Sequence, residues 1–271
     1  MPRLCIVTAL PAESRPLLDA LHLRHSAARH LRVYSSEHYL LLETGVGKLN
    51  AAACTGALLQ AYPQICSIVN LGIAGGAFDY AQTLMAHRVC DNASGEQWFP
   101  HLPSHKAIRH LTTTTVSSVD IPCEHYLADT VFDMEAAGVF AAASRYLPTS
   151  CIHSLKVISD NTNNHIRTIN KQTVTTLVSQ TLDSWLPALE AIREQANLLT
   201  PANSSLFEPL IVRTVQRVHH SVNDEQQLRE LIRRYWALSG QLPQIDNRYT
   251  CAKTLRESLQ AMLGRLPLRY S

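Results

Sequence analysis

Acidic residues stand at the edges of apolar segments in this chain, where they could do acid–base chemistry. Asp133 and Glu135 lie where the apolar run around Val131 gives way to a predicted helix, and Asp160 follows the strand-like run 154–158. Burying a carboxylate is costly unless a ligand or a partner compensates it. In open α/β sheets, ligands bind beyond the carboxyl ends of strands. The pattern therefore predicts a site at these strand ends.

One further acid and two glycine segments are candidates for the same site. Glu13 follows the first predicted strand, although a lone acid in the first turn of a helix is usually a surface residue that stabilises the helix dipole. Gly45-Val46-Gly47 precedes a helix and could hold an anion on free backbone N–H groups, while tight packing of a turn explains the pair equally well. The run from Gly72 to Gly76, interpreted as a second glycine turn, has the same two explanations.

Several other chemistries lack their signatures. The glycine segments match neither a dinucleotide-binding fingerprint, because Asn50 stands at the sixth position of GxGxxG, nor a P-loop, because GxxxxGK[ST] is absent. The chain has 13 histidines, but those at 101, 105 and 110 lack the spacing and the Cys or acidic partners of a zinc site. No GxSxG elbow occurs. We expect neither a metal nor a cofactor.

The order of apolar strand, glycine turn and helix repeats along the chain and predicts α/β layering with a largely parallel sheet. The predicted strands cover residues 4–10, 31–35, 39–43, 67–71, 89–92, 112–119 and 154–158. The predicted helices cover residues 12–23, 49–61, 134–146 and 171–195.

The chain divides by composition into a main domain and a helical tail. We predict a domain at 1–196, a linker at 197–209 and a helical extension at 210–271, with helices near 223–239 and 250–263. The net charge is +2, with a balance of +4 in the tail from residue 197 and −2 in residues 1–196. A solvated helical face explains this excess better than an acidic partner does, and we expect no nucleic-acid partner.

The composition indicates a folded protein of the cytoplasm. Hydrophobic residues make up 46% and charged residues 17% of the chain, so a substantial core can be buried. No apolar run approaches the length of a membrane span or of a signal segment, so no membrane partner is expected. The seven cysteines are widely spaced and form no CxxC pair, as expected for reduced thiols.

Five segments of the chain occur in one colinear series. They are residues 6–13, 44–48, 70–76, 133–136 and 158–160. The series resembles the nucleoside phosphorylase superfamily, and within it the nucleosidases that act on methylthioadenosine and S-adenosylhomocysteine. The resemblance covers roughly residues 3–195. It implies a three-layer mixed sheet with flanking helices, a homodimer, and cleavage of the N-glycosidic bond of a small-molecule purine nucleoside.

The resemblance also implies a role for each matching residue. Asp160 would be the general acid that protonates N7 of the leaving purine, and Ser159 would orient it. Glu135 would bind the ribose hydroxyls, and Met134 would pack against the sugar. Glu13 would activate water. An anion beside a ribose that becomes positive in the transition state, with an acid beside the leaving base, is what this reaction needs.

Further residues are expected to line the substrate or the base. Gly47, Gly72 and Ile73 are predicted substrate-binding residues of the two glycine segments, and Tyr126 and Leu127 are candidate base contacts by their position. A hydrolase is favoured over a phosphorylase because phosphorylases of the superfamily carry a Gly-Asp-Pro-x-Arg loop after the first strand, which this chain does not have.

The leading prediction is therefore a hydrolase of a 5′-modified adenosine. A phosphate-dependent phosphorylase is one alternative, and a futalosine hydrolase is another, since the form of residues 72–75 is similar to those enzymes. The last alternative is a nucleoside-binding or scaffold protein with impaired turnover. It is motivated by Ile73, which stands where the nucleosidases have Ser, by Lys156, which stands where they have Arg, and by the short stretch 77–132.

Overall fold

A computed structural model describes residues 3–26, 30–199, 212–214, 217–218, 221–239, 241–245 and 249–265. The chain forms two compact units, residues 1–199 and 200–271. Within its described residues, the first unit has the strands β1 (Arg3–Thr8), β2 (Arg24–Ser26), β3 (Arg32–Ser35), β4 (Tyr39–Glu43), β5 (Ile65–Gly76), β6 (Thr83–Asp91), β7 (Gln97–Trp98), β8 (Thr112–Ser118), β9 (Thr130–Asp133) and β10 (Ile152–Asp160). The helices of this unit are α1 (Pro11–Ala20), α2 (Lys48–Ala61), α3 (Lys106–Arg109), α4 (Ala136–Ala143) and α5 (Lys171–Leu199), with 3₁₀ turns at Thr149–Cys151 and Ile166–Thr168.

The strands described above form one mixed sheet of 10 strands. β1 lies between β4 and β5 and runs parallel to both, and the β2–β3–β4 meander is antiparallel. Beyond β5 the sheet closes on itself, because β5 pairs with β10, β10 with β6, β6 with β8, β8 with β9, and β9 again with β5. β5 is therefore shared between the open part of the sheet and a closed ring of five strands.

Helices cover both faces of the sheet. In β1, the side chains of Cys5 and Val7 belong to a buried cluster that includes residues of α2 and α4. Those of Leu4 and Ile6 belong to a second cluster on the opposite face, which includes Trp185 and other residues of α1, α3 and α5. Alternate side chains of one strand point to opposite faces, so a strand that is apolar throughout fits a sheet covered on both sides. The predicted three-layer mixed sheet with flanking helices is confirmed.

The prediction of a second glycine turn at residues 72–76 is wrong. β5 does not turn at Gly72 but continues as a strand through Gly76. Ile73 and Ala74 remain in register with β10 over this stretch. The glycines are needed because side chains from neighbouring elements press against the strand there, a recognised use of glycine inside strands. Residues 72–76 are thus part of the sheet, below the predicted site.

The helices α2 and α4 meet at their first turns. A Cβ atom at Gly138 would overlap the main-chain carbonyl of Lys48, so only glycine permits this approach. The contact places the N-terminus of α4 beside the N-terminus of α2. It thereby brings Glu135, which precedes α4, next to Gly47, which precedes α2.

The C-terminal unit contains helices, as predicted. In its described residues these are α6 (Val222–Ser239) and α7 (Ala252–Gly264), which share a buried apolar cluster around Leu228, Ile232 and Leu255. The linker predicted at 197–209 begins inside α5, which continues to Leu199, and the rest of that segment lies outside the described residues. Across the part of the chain that the structure describes, no helix is long and apolar enough to cross a membrane.

Candidate active site

Glu13 lies in the first turn of α1 and is almost fully buried. Its Oε2 accepts hydrogen bonds of 2.9 Å from the backbone N–H groups of Ala9 and Leu10, and its Oε1 accepts one of 3.0 Å from Ile73. Burial raises the pKa of Glu13, while these N–H groups and the charge of Lys156 oppose the rise. The carboxyl group is fixed in place and has a pKa displaced towards that of a general base.

Gly72 makes the position of Glu13 possible. A Cβ atom at Gly72 would lie 2.6 Å from Oε1 of Glu13, so any other residue would displace the carboxyl group. The next residue, Ile73, acts on the site through its backbone N–H. Its side chain packs against the apolar cluster on the α1 and α5 face. Ile73 therefore contributes an amide to the site rather than the polar side chain that Ser would provide.

Glu135 is held by the turn that precedes α2. Its Oε1 accepts a 2.8 Å hydrogen bond from the backbone N–H of Gly47, whose φ of +100° lies in the region that favours glycine. Burial raises the pKa of Glu135 to about 7, and the negative charge of Asp133 adds to this rise. Glu13 and Lys156 lie near enough to shift the same pKa by their charges. The anion at this helix N-terminus is thus the protein's own carboxylate.

Asp133 is more than an acid at the start of a helix. Its Oδ2 accepts a hydrogen bond from the backbone N–H of Ala136, as expected for that role, but Nζ of Lys156 also lies 2.7 Å from Oδ2. Its Oδ1 accepts a 2.5 Å hydrogen bond from Oγ of Ser118. The ion pair is buried, because the side chains of Lys156 and Asp133 are 1% and 0% exposed. Lys156 therefore provides the buried cation of this acidic site.

Asp160 ends β10 and is buried beside the glycine segment of β5. Its Oδ1 accepts a 2.6 Å hydrogen bond from Oγ of Ser159, and its Oδ2 accepts one of 2.7 Å from the hydroxyl of Tyr126. A Cβ atom at Gly75 would overlap Asp160 and press on the ring of Tyr126. The hydroxyl of Ser159 thus fixes one oxygen of Asp160, and only glycine at position 75 leaves room for the other.

The remaining predicted residues lie around these groups. Met134 is half-buried in the connection between β9 and α4, next to Glu135. Leu127, a candidate base contact, is 58% exposed. A pocket of about 390 Å³ opens just beyond the ends of β5 and β10. Its lining residues are Ala77, Phe78, Asp79, Gln82, Asn161, Thr162 and Asn163.

The glycine segment of β5 brings the predicted residues together. Gly72 lies under Glu13, and Gly75 lies under Asp160. Glu135 is linked electrostatically to Glu13. The three predicted acids therefore have different environments. Asp160 is the one that accepts hydrogen bonds from two hydroxyl groups, those of Ser159 and Tyr126. Such a set can hold hydroxyl groups of a ligand, stabilise a positive charge, and accept or donate protons.

Three contributors were not among the predicted site residues. Ser118 and Lys156 bind Asp133, and Gly75 makes room for Asp160. The polar end of β8 and the lysine in the middle of β10, a strand that is buried throughout, are signals in the sequence, because a buried charge needs a partner. Among the described residues, no group of three or more His, Cys, Asp or Glu side chains is arranged to hold a metal ion.

Several solved structures have the same fold as most of this chain. The 5′-methylthioadenosine/S-adenosylhomocysteine nucleosidase of Colwellia psychrerythraea, solved with adenine, is 15% identical, covers 70% of this chain and 96% of its own, and has a TM-score of 0.61. The 5′-methylthioadenosine nucleosidase of Arabidopsis thaliana is 17% identical over 71% of this chain and 96% of its own, with a TM-score of 0.61. The S. pneumoniae nucleosidase with a transition-state inhibitor is 15% identical over 70% and 99%, with a TM-score of 0.58.

No protein-family model and no curated protein matches the sequence. At the identities given above, the structural likeness establishes the fold. Over about 70% of its length, the chain has the fold of these nucleosidases.

Proposed function

We propose that this chain is a nucleosidase that hydrolyses the N-glycosidic bond of a 5′-modified adenosine, such as methylthioadenosine or S-adenosylhomocysteine. The observation that carries the proposal is that Glu13 and Asp160 lie on the glycine segment of β5, with Glu135 close enough to Glu13 for their charges to interact. We assign this chemistry to the first unit, which contains all three acids. The ligands named for the nucleosidases of the same fold, adenine and a transition-state inhibitor, support a purine nucleoside as the substrate class.

The leaving base is assigned to the Asp160 end of the site. When the bond between C1′ and N9 breaks, its electron pair passes to the purine, and a proton delivered to N7 neutralises the base. Asp160 is the acid for this step, and Ser159, whose hydroxyl is 2.6 Å from Oδ1, orients it. A pocket of about 390 Å³ lies beyond this end of β5, and Asn161, the residue after Asp160, is one of its lining residues.

The attacking water is assigned to Glu13. The ribose becomes positively charged at C1′ as the base leaves, and Glu13 accepts the proton of the water that adds there. Three backbone N–H groups hold this carboxyl group, two on Oε2 and one on Oε1. A carboxylate oxygen can accept two hydrogen bonds, so Oε1 retains one position for water. The raised pKa of Glu13 makes it a stronger base than an exposed carboxylate.

The ribose hydroxyls are assigned to Glu135. The Gly47 amide fixes Oε1 of Glu135, which leaves Oε2 to accept hydrogen bonds from the sugar. Met134, the half-buried neighbour, provides an apolar contact for the sugar face. Glu135 also adds negative charge near C1′, where the transition state is positive.

The structure favours water over phosphate as the nucleophile. A phosphate site at this position would need free backbone N–H groups. Those of Ala9, Leu10 and Ile73 already donate to the carboxylate of Glu13. A phosphate dianion beside Glu13 would also be repelled by its charge. These contacts support hydrolysis.

We also propose that the enzyme is a homodimer of the cytoplasm. Apolar side chains near the site are exposed in the single chain: Leu49 is 87%, Val46 is 44% and Leu127 is 58% exposed. Covering such residues is a usual function of a subunit interface. The seven cysteines are free, as in a reducing compartment. Sedimentation of the full chain tests the dimer, and a monomer at all concentrations would contradict it.

Base release from a panel of nucleosides tests the function. The full chain is incubated with methylthioadenosine, S-adenosylhomocysteine, futalosine, adenosine and inosine, with and without phosphate. We expect free adenine and a free 5′-substituted ribose without phosphate, and a loss of about 10²-fold or more in the Asp160→Asn and Glu13→Gln variants. Strict phosphate dependence would indicate a phosphorylase, futalosine as the sole substrate a futalosine hydrolase, and binding without base release a protein that has lost turnover.

A further inference from the structure

The hydroxyl of Tyr126 is bound to one of the two carboxylate oxygens of Asp160. It donates a 2.7 Å hydrogen bond to Oδ2, while Ser159 donates to Oδ1. Both oxygens of Asp160 therefore act as acceptors. A purine that binds Asp160 must therefore share one of these oxygens with a hydroxyl of the protein, or displace that hydroxyl. Tyr126 is the hydroxyl that competes for Oδ2.

Tyr126 lies in a segment that few hydrogen bonds and ion pairs hold to the rest of the unit. Residues 120–126, all of which the structure describes, make no hydrogen bond between main-chain atoms. Side chains attach this segment to the rest of the unit: Asp120 pairs with Lys48 at 3.0 Å, Glu124 pairs with Arg167 at 3.4 Å, and Tyr126 binds Asp160. The Glu124–Arg167 pair is exposed, and exposed pairs contribute little stability. The segment can therefore move without breaking main-chain structure.

The packing around Tyr126 links its ring to the same oxygen. A Cβ atom at Gly75 would be 3.0 Å from Cε1 of Tyr126 and would overlap Oδ2 of Asp160, so the two side chains lie side by side on one glycine. Burial and the Asp160 carboxylate raise the pKa of Tyr126, and the phenol therefore stays protonated and remains a donor near neutral pH.

We propose that Tyr126 gates the base end of the site, because its hydroxyl is bound to Oδ2 of Asp160 and competes with a purine for that oxygen. This inference rests on the proposed function, in which the purine is the partner of Asp160. Tyr126 is a positioning residue, since it acts through Asp160. Purine binding exchanges one hydrogen bond of Asp160 for another, and the exchange lowers the apparent affinity for the base.

Calorimetric titration of the full chain with adenine tests the gate. In the Tyr126→Phe variant the ring remains but the competing hydroxyl is removed, so we expect the Kd of adenine to fall about tenfold. Tyr146→Phe makes the same chemical change at a 42% exposed residue after α4 and should leave the Kd unchanged. With methylthioadenosine, KM should fall in the Tyr126→Phe variant by more than kcat changes.

A second variant, Tyr126→Leu, also lacks the hydroxyl and should likewise tighten adenine. An unchanged or weaker adenine Kd in both variants, with binding by the wild type, overturns the gate and leaves the proposed function intact. A large fall in kcat at unchanged KM also overturns it, because Tyr126 would then itself donate the proton. Absence of adenine binding in all four proteins overturns the gate together with the proposed function.

Discussion

The ammonium group of Lys156 lies 2.7 Å from Oδ2 of Asp133, and both side chains are withdrawn from solvent. The pair joins β10 to β9 on the closed ring of strands. Lys156 also acts by its charge on Glu13 and Glu135, where it opposes the rise in pKa that burial causes. One lysine therefore supplies positive charge to three neighbouring carboxyl groups. A site with so many acids depends on this cation for its stability and for the ionisation of its members.

Lys156→Met should destabilise the protein by about 3–5 kcal/mol, because it leaves the carboxylate of Asp133 buried without a cation. Lys156→Arg keeps the charge and should lose less. Urea unfolding measures both changes. Arg32→Met is the matched control: Arg32 pairs with Glu43 at 3.7 Å but is 71% exposed, so its removal should cost about 1 kcal/mol or less. Equal losses in Lys156→Met and Arg32→Met would contradict the role of the buried pair.

Gly72→Ala should abolish most of the proposed hydrolysis. The new Cβ would lie 2.6 Å from Oε1 of Glu13 and would push the carboxyl group off its backbone donors. A displacement of about 1 Å at a reacting group can cost about 10²-fold in rate. Release of adenine from methylthioadenosine measures the loss.

The control for this substitution is Gly56→Ala. Gly56 lies in α2 and has no atom within 4 Å of the position of a Cβ, so alanine fits. We expect full activity and a gain of about 0.4–1 kcal/mol in the free energy of unfolding. If Gly72→Ala were as active as Gly56→Ala, the contact between Gly72 and Glu13 would have no functional importance.

Glu135→Gln should change how stability depends on pH. The pKa of Glu135 in the folded protein is about 7, above its ordinary value, so the folded state keeps a proton that the unfolded chain has already released. Stability that comes from this group is complete at low pH and is lost as the pH rises through about 7. The variant lacks this loss. As the pH rises from about 5 to about 8, the difference in free energy of unfolding between the variant and the wild type should therefore shift by about 1–3 kcal/mol in favour of the variant.

Urea unfolding of both proteins across this pH range measures the difference. Glu96→Gln, at an exposed position before β7, is the control and should track the wild type at every pH. A constant difference between Glu135→Gln and the wild type would show that Glu135 has the same pKa in the folded and unfolded states.

Much of the fold could be predicted because local sequence carries it. Strands that are apolar throughout, such as β1, indicate burial on both faces, and the glycine pair before α2 marks a helix start. Glu13, Glu135 and Asp160 could be named because each stands next to a recognisable element of the colinear series. Their placement was predictable, whereas their roles stay a prediction.

The contacts within the site could not be predicted in the same way. Asp133 stands before a predicted helix in the sequence, and its partner Lys156 is on another strand of the ring, so only the tertiary structure brings them together. The glycines of β5 were interpreted as a turn, because the pressure of Glu13 and Asp160 on that strand has no local signal. The predicted contact of Tyr126 with the base did not include its bond to Asp160, for the same reason.

Closure of the ring has a consequence for the order in which the first unit opens. β10 pairs with one edge of β5 over residues 68–75, and the other edge pairs with β1 over residues 67–70 and with β9 over residues 75–76. Between these two partners, the N–H of Ile73 is bound by Glu13. Residues 120–126 lack main-chain hydrogen bonds. In deuterated water, the amides of 68–75 should therefore exchange with global unfolding, while those of 120–126 exchange orders of magnitude faster. The part of β5 that contacts Glu13 and Asp160 would then be among the last parts of the unit to become labelled, and the segment that contains Tyr126 among the first.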